Sequence, residues 1–334
     1  MQARHRSWRA AAFGVAFSCS IALTGADAAP PALELVATFP LANVKGRIDH
    51  LDADPAHHRL FVAALGNDTV EVLDTEHNER HTIAGLDEPQ GVLYVPGQDR
   101  LVIANGRAAR VDFVDATSLQ TVQRITGLDD ADNVRWLSAS HRVMVGYGAG
   151  ALRTLDPATG ESAGDIALPG HPESFQVDPA RHRVYVNVPS AHAIVVVDLQ
   201  AQRAVARWPT PQASANFPMA LDLQSRRLFV AARSPAVLLV YDLETGNVVD
   251  RLAIGNDADD VYFDARRKRV YVICGAGKVD VIGAMSPDKY ALEESVSTSA
   301  RARTGLFVAE ESRLYVAAPA SGQSPARLLA YRVN

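Results

Sequence analysis

"GRIDHLDADPAHHRLFVAALGNDTVEVLD", residues 46–74, decides the fold, and it can be read in two ways. It holds three histidines and five aspartates (Asp49, Asp52, Asp54, Asp68 and Asp74), as a metal site would. The other reading is one unit of a repeat, which would send neighbouring residues to different ends of that unit. Self-similarity therefore comes first. "RLFVA" at residue 59 returns as "RLVIA" at 100, "RVMVG" at 142, "RVYVN" at 183, "RLFVA" at 227, "RVYVI" at 269 and "RLYVA" at 313. The spacings are 41, 42, 41, 44, 42 and 44 residues, so the stretch is a repeat unit.

Each copy is followed by a second β-branched run, for example "TVEVLD", "RVDFVD", "AIVVVD" and "VLLVYD". Both runs have strand length and strand composition. Turn chemistry fills the gaps. In "DPATGES" and "DLETGNVV", Gly160 and Gly246 supply the positive φ that a bulged hairpin needs, so consecutive strands run antiparallel. About four short strands per period of about 42 residues describe a propeller blade, whose sheet buries both faces only when neighbours stack on it. The expected fold is all-β: a seven-bladed β-propeller of four-stranded blades, one domain over residues 29–334. The seventh copy stops at its third strand, and "LELVATFP" at residues 33–40 precedes the first copy unassigned. The N-terminal strand is therefore expected to close the last blade and remove the free sheet edges.

"EPQGVLYVPGQDRLVIANG" and "HPESFQVDPARHRVYVNV" resemble the YVTN-repeat (YncE-like) β-propellers, and the likeness covers residues 33–334. Pro89 and Pro172 stand where that family often opens a blade with proline. The resemblance implies the fold strongly and function weakly. Related propellers serve as dehydrogenase subunits, lactone hydrolases, lyases and binding proteins.

Residues 1–28 read as a secretory signal peptide: Arg4, Arg6 and Arg9 precede an apolar run, and Ala26-Asp27-Ala28 fits a small-x-small cleavage site. The expected location is the periplasm. A lipoprotein leader fits poorly, since Phe17 precedes Ser18 and Cys19 where a small residue is wanted. No later segment approaches the ~20 apolar residues of a membrane helix, so no membrane span is expected. Only Cys274 remains beyond the leader, which excludes an intramolecular disulfide and makes it an inert filler in this reading. The whole chain carries a net charge of −5, and losing three leader arginines makes it more acidic. That disfavours a nucleic-acid partner.

Within a blade, the loops after the second and fourth strands open on one face. Asp54, His57 and His58 fall on the opposite face from Asp49, His50, Asn67 and Asp68, so a single site using all three histidines is not expected. The residue ten places before each repeat arginine should begin the innermost strand, at the mouth of the central channel. These residues are Asp49, Gln90, Asp132, Glu173, Phe217, Asp259 and Arg303. The next position adds His50, Asn133, Ser174 and Asp260, and two places before the ring stand Arg47, Asp130, His171, Asp257 and Arg301. The mouth is expected to be polar and mostly acidic, with an arginine patch where blades 7 and 1 meet.

Converging carboxylates repel unless a cation sits among them or some stay protonated. Asp49, Asp132, Glu173 and Asp259 are thus candidate ligands of calcium or another divalent cation, while solvated turn aspartates are the alternative. Zinc is not expected, for want of a convergent His pair. His50 and His171 can ligate or move protons. Arg303, with Arg301, Arg107 and Arg233, can fork a carboxylate ligand or neutralise the acidic ring.

No G-x-S-x-G elbow, phosphate-cradling glycine loop or C-x-x-C-H sequence occurs. The favoured reading is an exported, monomeric, non-catalytic propeller. It binds a small ligand, a cation or a periplasmic protein around the channel mouth. Two alternatives stay open: a divalent-metal-dependent lactone hydrolase or lyase, and a subunit of a periplasmic redox complex.

Overall fold

A computed structural model describes residues 1–2 and 30–334. The expected leader, apart from its first two residues, lies outside the described residues. The unit Pro31–Asn334 holds seven sheets of four antiparallel strands each, as the repeat predicts. Blade 1 runs outward from the channel as Leu51–Asp54, Arg59–Ala64, Thr69–Asp74 and Glu79–Ile83. The innermost strands of blades 2 to 6 are Pro89–Val95, Val134–Leu137, Phe175–Asp178, Ser214–Asp222 and Ala258–Asp264. Blade 7 is Thr304–Val308, Arg313–Ala318 and Arg327–Val333, with Leu33–Pro40 as its outermost strand. Leu33 pairs with Val333 and Pro40 with Arg327, so the two ends of the propeller share one blade.

The second strands are continuous apolar runs because both faces are covered by neighbouring blades. Seven apolar cores result, one at each seam. Between blades 1 and 2, Phe61 and Val72 meet Leu101 and Ile103; between blades 6 and 7, Tyr271 and Ile273 meet Leu314 and Val316. Each such side chain stabilises the stack by about 1.5–3 kcal/mol. The axis is left free of apolar core, and polar side chains can occupy it.

The hairpin before each second strand explains three of the histidines. The residue preceding each repeat arginine is left-handed: His58, Asp99, His141, His182, Arg226, Lys268 and Ser312 have φ between 44° and 56°. Asp and His tolerate this region better than most residues. The expected glycines behave likewise, with φ of 71° at Gly160 and 70° at Gly246.

The ring position does not begin every inner strand: Asp49, Asp132 and Glu173 lie two residues before theirs, while Phe217 lies inside its own. Register shifts at Pro89/Val92, Asn216/Met219 and Ala258/Asp260 start some strands earlier than others.

Candidate functional site

The channel mouth is built from the segments that lead into the innermost strands. Backbone bonds fix them: Asp49 N–H donates to Ala63 O (2.8 Å), Asp132 N–H to Gly146 O (3.0 Å) and Glu173 N–H to Asn187 O (3.0 Å). The ring acids are held against the second strands, where Asp49 is only 1% exposed and Asp132 only 6%.

His50, from blade 1, reaches across the axis. Its Nδ1 lies 3.4 Å from Asp260 Oδ1 on blade 6, and its Nε2 lies 4.0 Å from Asp132 Oδ1 on blade 3. The mouth is therefore narrow and plugged by an imidazole, rather than a wide ring of solvated turns. Nε2 also lies 3.4 Å from Asn133 Nδ2, at the outer limit of a hydrogen bond. Burial favours the neutral ring, but Asp260, Asp49 and Asp132 outweigh it and raise His50 to about 10, so the doubly protonated ring prevails at neutral pH. His171 is placed by its Nδ1, 2.7 Å from Gly148 O, with Nε2 3.9 Å from Asp132 Oδ2. Burial lowers it, but Asp132, the Gly148 carbonyl and Asp130 together raise it to about 9.

The remaining acids meet arginines. Arg47 Nη2 donates to both oxygens of Asp49 (3.1 and 2.9 Å). Asp259 pairs with Arg233, and Arg303 Nε lies 2.8 Å from its Oδ2 without hydrogen-bond alignment. Arg303 Nη1 donates to both oxygens of Asp257 (3.0 and 3.2 Å). Phe217 takes an acid's place in the ring because its face supports the Arg233 guanidinium, 4.2 Å away. Gln90 Nε2 donates to Asp130 Oδ1 (3.1 Å). Arg107 is not part of this set: it pairs with Asp87 at the rim of blade 2.

The mouth is thus a mosaic of paired charges, not a mostly acidic ring, and its arginines reach from blade 5 round to blade 1. Among the described residues, no three His, Cys, Asp or Glu side chains converge in a way that could hold a metal ion. Histidines and arginines supply the compensation that the sequence reading assigned to a cation. They fall short at two acids. Burial, opposed by His50 and Arg47, raises Asp49 to about 6. Burial and Asp132 raise Glu173 to about 7, and Glu173 has no ion-pair partner among the described residues. Asp132 moves the other way, since the two imidazoles and Arg47 outweigh its burial and lower it.

Two hollows open here. One, of about 100 Å³, is lined by Arg47, Ile48, Asp257, Arg301, Arg303 and Pro319. The other, of about 180 Å³, lies in the channel and is lined by His50, Asp52, Arg135, Gln176, Asp260 and Tyr262 among others. Asp52, Arg135, Gln176 and Tyr262 escaped the sequence reading. All stand seven places before a repeat arginine, three residues or about 10 Å deeper than the ring position, and the same alignment at that offset would have found them. Arg135 is held by the carbonyls of Phe175 (3.0 Å) and Val134 (2.8 Å), and burial lowers its pKa. Burial raises Asp52 to about 6 against the pull of the Tyr94 N–H. Cys274 is buried, and burial pushes its thiol up to about 12, as expected of a filler.

No family model and no curated protein matches this chain. Solved structures share its fold. A chain of the mitotic checkpoint complex superposes with a TM-score of 0.78 at 14% identity, covering 97% of this chain and 98% of its own. A chain of Kuenenia stuttgartiensis hydrazine synthase superposes with a TM-score of 0.72 at 15% identity, covering 82% and 94%. The first of these neighbours is part of a protein complex. Among the described residues, no helix is long and apolar enough to cross a membrane.

Proposed function

We propose that this chain is an exported, YVTN-repeat-like propeller that binds a small anionic ligand at its channel mouth without transforming it. The observation that carries the reading is the hollow at the seam of blades 6, 7 and 1. Three guanidinium groups line it against one carboxylate, and that carboxylate, Asp257, is already forked by Arg303. Arg301 has no ion-pair partner among the described residues, and Arg47 spends only Nη2 on Asp49. A carboxylate or phosphate group fits a net-positive hollow of this size, since guanidinium forks match planar oxyanions. A cation is disfavoured, because Asp49, Asp132 and Asp259 already face arginines or histidines and Glu173 alone of these ring acids is left unpaired among the described residues.

Calorimetric titration with succinate and with inorganic phosphate tests this. Saturable binding is expected to weaken about tenfold in Arg301→Ala, an exposed substitution that leaves packing intact. Unchanged binding in both Arg301→Ala and Arg47→Ala would refute the arginine hollow as the site.

A catalytic reading rests on Glu173, an unpaired carboxyl raised to about 7 near His171, as a general acid–base group would be. Turnover of a lactone or ester that disappears in Glu173→Gln, with ligand binding retained, would replace the non-catalytic reading.

A further inference from the structure

On the face opposite the mouth, the seam between blades 3 and 4 holds an open pocket of about 350 Å³. Its walls include Leu137, Val177, Pro179, Leu199 and Ala163, with the guanidinium-bearing side chain of Arg142 beside them and no carboxylate in the lining. The volume lies in the range of small-molecule pockets, roughly 300–1,000 Å³.

The cavity exists because blade 3 departs from the repeat at two positions. Counting back three residues from the inward apolar residue near the end of the outermost strand (Ile83, Ile125, Trp208, Leu252 and Val296) gives Arg80, Val122, Val205, Val249 and Glu293 in blades 1, 2, 4, 5 and 6. In blade 3 the residue is Ala163. A small side chain there leaves the seam unfilled. The second departure removes an anion. Five places before the repeat arginine stand Asp54, Asp178, Asp222 and Asp264 in blades 1, 4, 5 and 6, but the apolar Val95, Leu137 and Val308 in blades 2, 3 and 7.

Arg142 lacks the close carboxylate partners that other repeat arginines have, whichever acid supplies them. Its counterpart Arg59 donates to Asp54 (2.6 Å) and Asp99 (2.7 Å), and Arg227 donates to Asp242 (2.7 Å). Arg142 comes no closer than 4.0 Å to Asp156, and its Nη1 is enclosed without a hydrogen-bond partner. Arg80 Nη1 and Arg100 Nε are also without partners, but neither residue lines this cavity. An enclosed, unbonded guanidinium N–H costs free energy that an oxyanion would recover.

We propose that this seam is a second ligand site, taking a small monocarboxylate with an apolar body. The carboxylate meets Arg142, and the body lies against Leu137, Val177 and Leu199. The site is independent of the mouth.

The probe pair is 4-phenylbutyrate and 4-phenylbutanol, titrated calorimetrically into the propeller, since the two share a body and differ in charge. The acid is expected to bind saturably and at least about tenfold more tightly than the alcohol. Arg142→Gln should remove that advantage and leave the alcohol unaffected. Ala163→Trp, on an exposed strand where folding is undisturbed, should abolish binding of both. Arg301→Ala at the mouth should change neither. The proposal is overturned if acid and alcohol bind alike, if Ala163→Trp leaves binding intact, or if the folded protein binds neither at low millimolar concentration.

Discussion

His50 is the residue on which the mouth turns. It links blades 1, 3 and 6 across the axis, and its raised pKa ties stability to pH. A group whose folded pKa lies above its unfolded value contributes stability fully below the unfolded pKa. That stability is lost as pH rises through the folded one. For His50 the window runs from about 6.5 to about 10. Asp49 and Glu173, raised by burial, also hold protons more tightly when folded, so their ionisation subtracts stability as pH rises past about 4. Asp132, lowered, contributes in the opposite sense and loses its contribution in acid. Denaturant titrations are expected to show stability falling by on the order of 2 kcal/mol between pH 7 and pH 10. His171, raised to about 9, contributes to the same fall, so His50→Gln should reduce the slope without abolishing it, and a slope unchanged by the substitution would show that His50 does not carry its charge in the fold. The ring residues were legible from the repeat offset. Their pairing was not, because His50 meets Asp132 and Asp260 across the channel, and one-dimensional spacing does not encode which side chains face each other over an axis.

At the scale of the element, the hairpin before each second strand and the close packing of inner strands set the blade geometry. Lys268 is exposed and left-handed at φ 54°. Lys268→Gly should be neutral or slightly stabilising, whereas Lys268→Val should cost about 1–2 kcal/mol in chemical denaturation, because a β-branched side chain resists that conformation. Equal stabilities would mean the turn relaxes. Gly91 marks a tighter constraint: a Cβ there would stand 2.1 Å from Asp132 O, which belongs to the next blade's backbone. Gly91→Ala should therefore cost about 3 kcal/mol and disturb the mouth as well as the fold, read as a lowered melting temperature. Strand order was legible because the "RLFVA"-type run repeats seven times. The starts of the inner strands were less so, since the bulges at Pro89/Val92 and Ala258/Asp260 depend on contacts between blades.

Across the whole molecule, closure and charge arrangement follow from one strand and one seam. Leu33–Pro40 covers the edge of Arg327–Val333, and Asn334 N–H donates to Ala32 O (3.0 Å). A chain beginning at Leu41 would expose that edge, and it is expected to aggregate or lose its cooperative melt. A soluble monomer with an unchanged melt would show that the seven stacked seams suffice. The missing acid and small residue of blade 3 were likewise visible as breaks in the repeat. Their meaning was not, because a cavity becomes evident only once two blades are packed. The central claim, that the mouth takes an anion, is tested most directly by melting the protein in succinate, in calcium chloride and in chelator at matched ionic strength. A ligand at 100 times its dissociation constant adds about 2.7 kcal/mol to the folded state. Succinate is predicted to raise the melting temperature, with calcium and chelator without effect; stabilisation by calcium that chelator removes, with no response to succinate, would contradict the account and return the acidic ring to a cation.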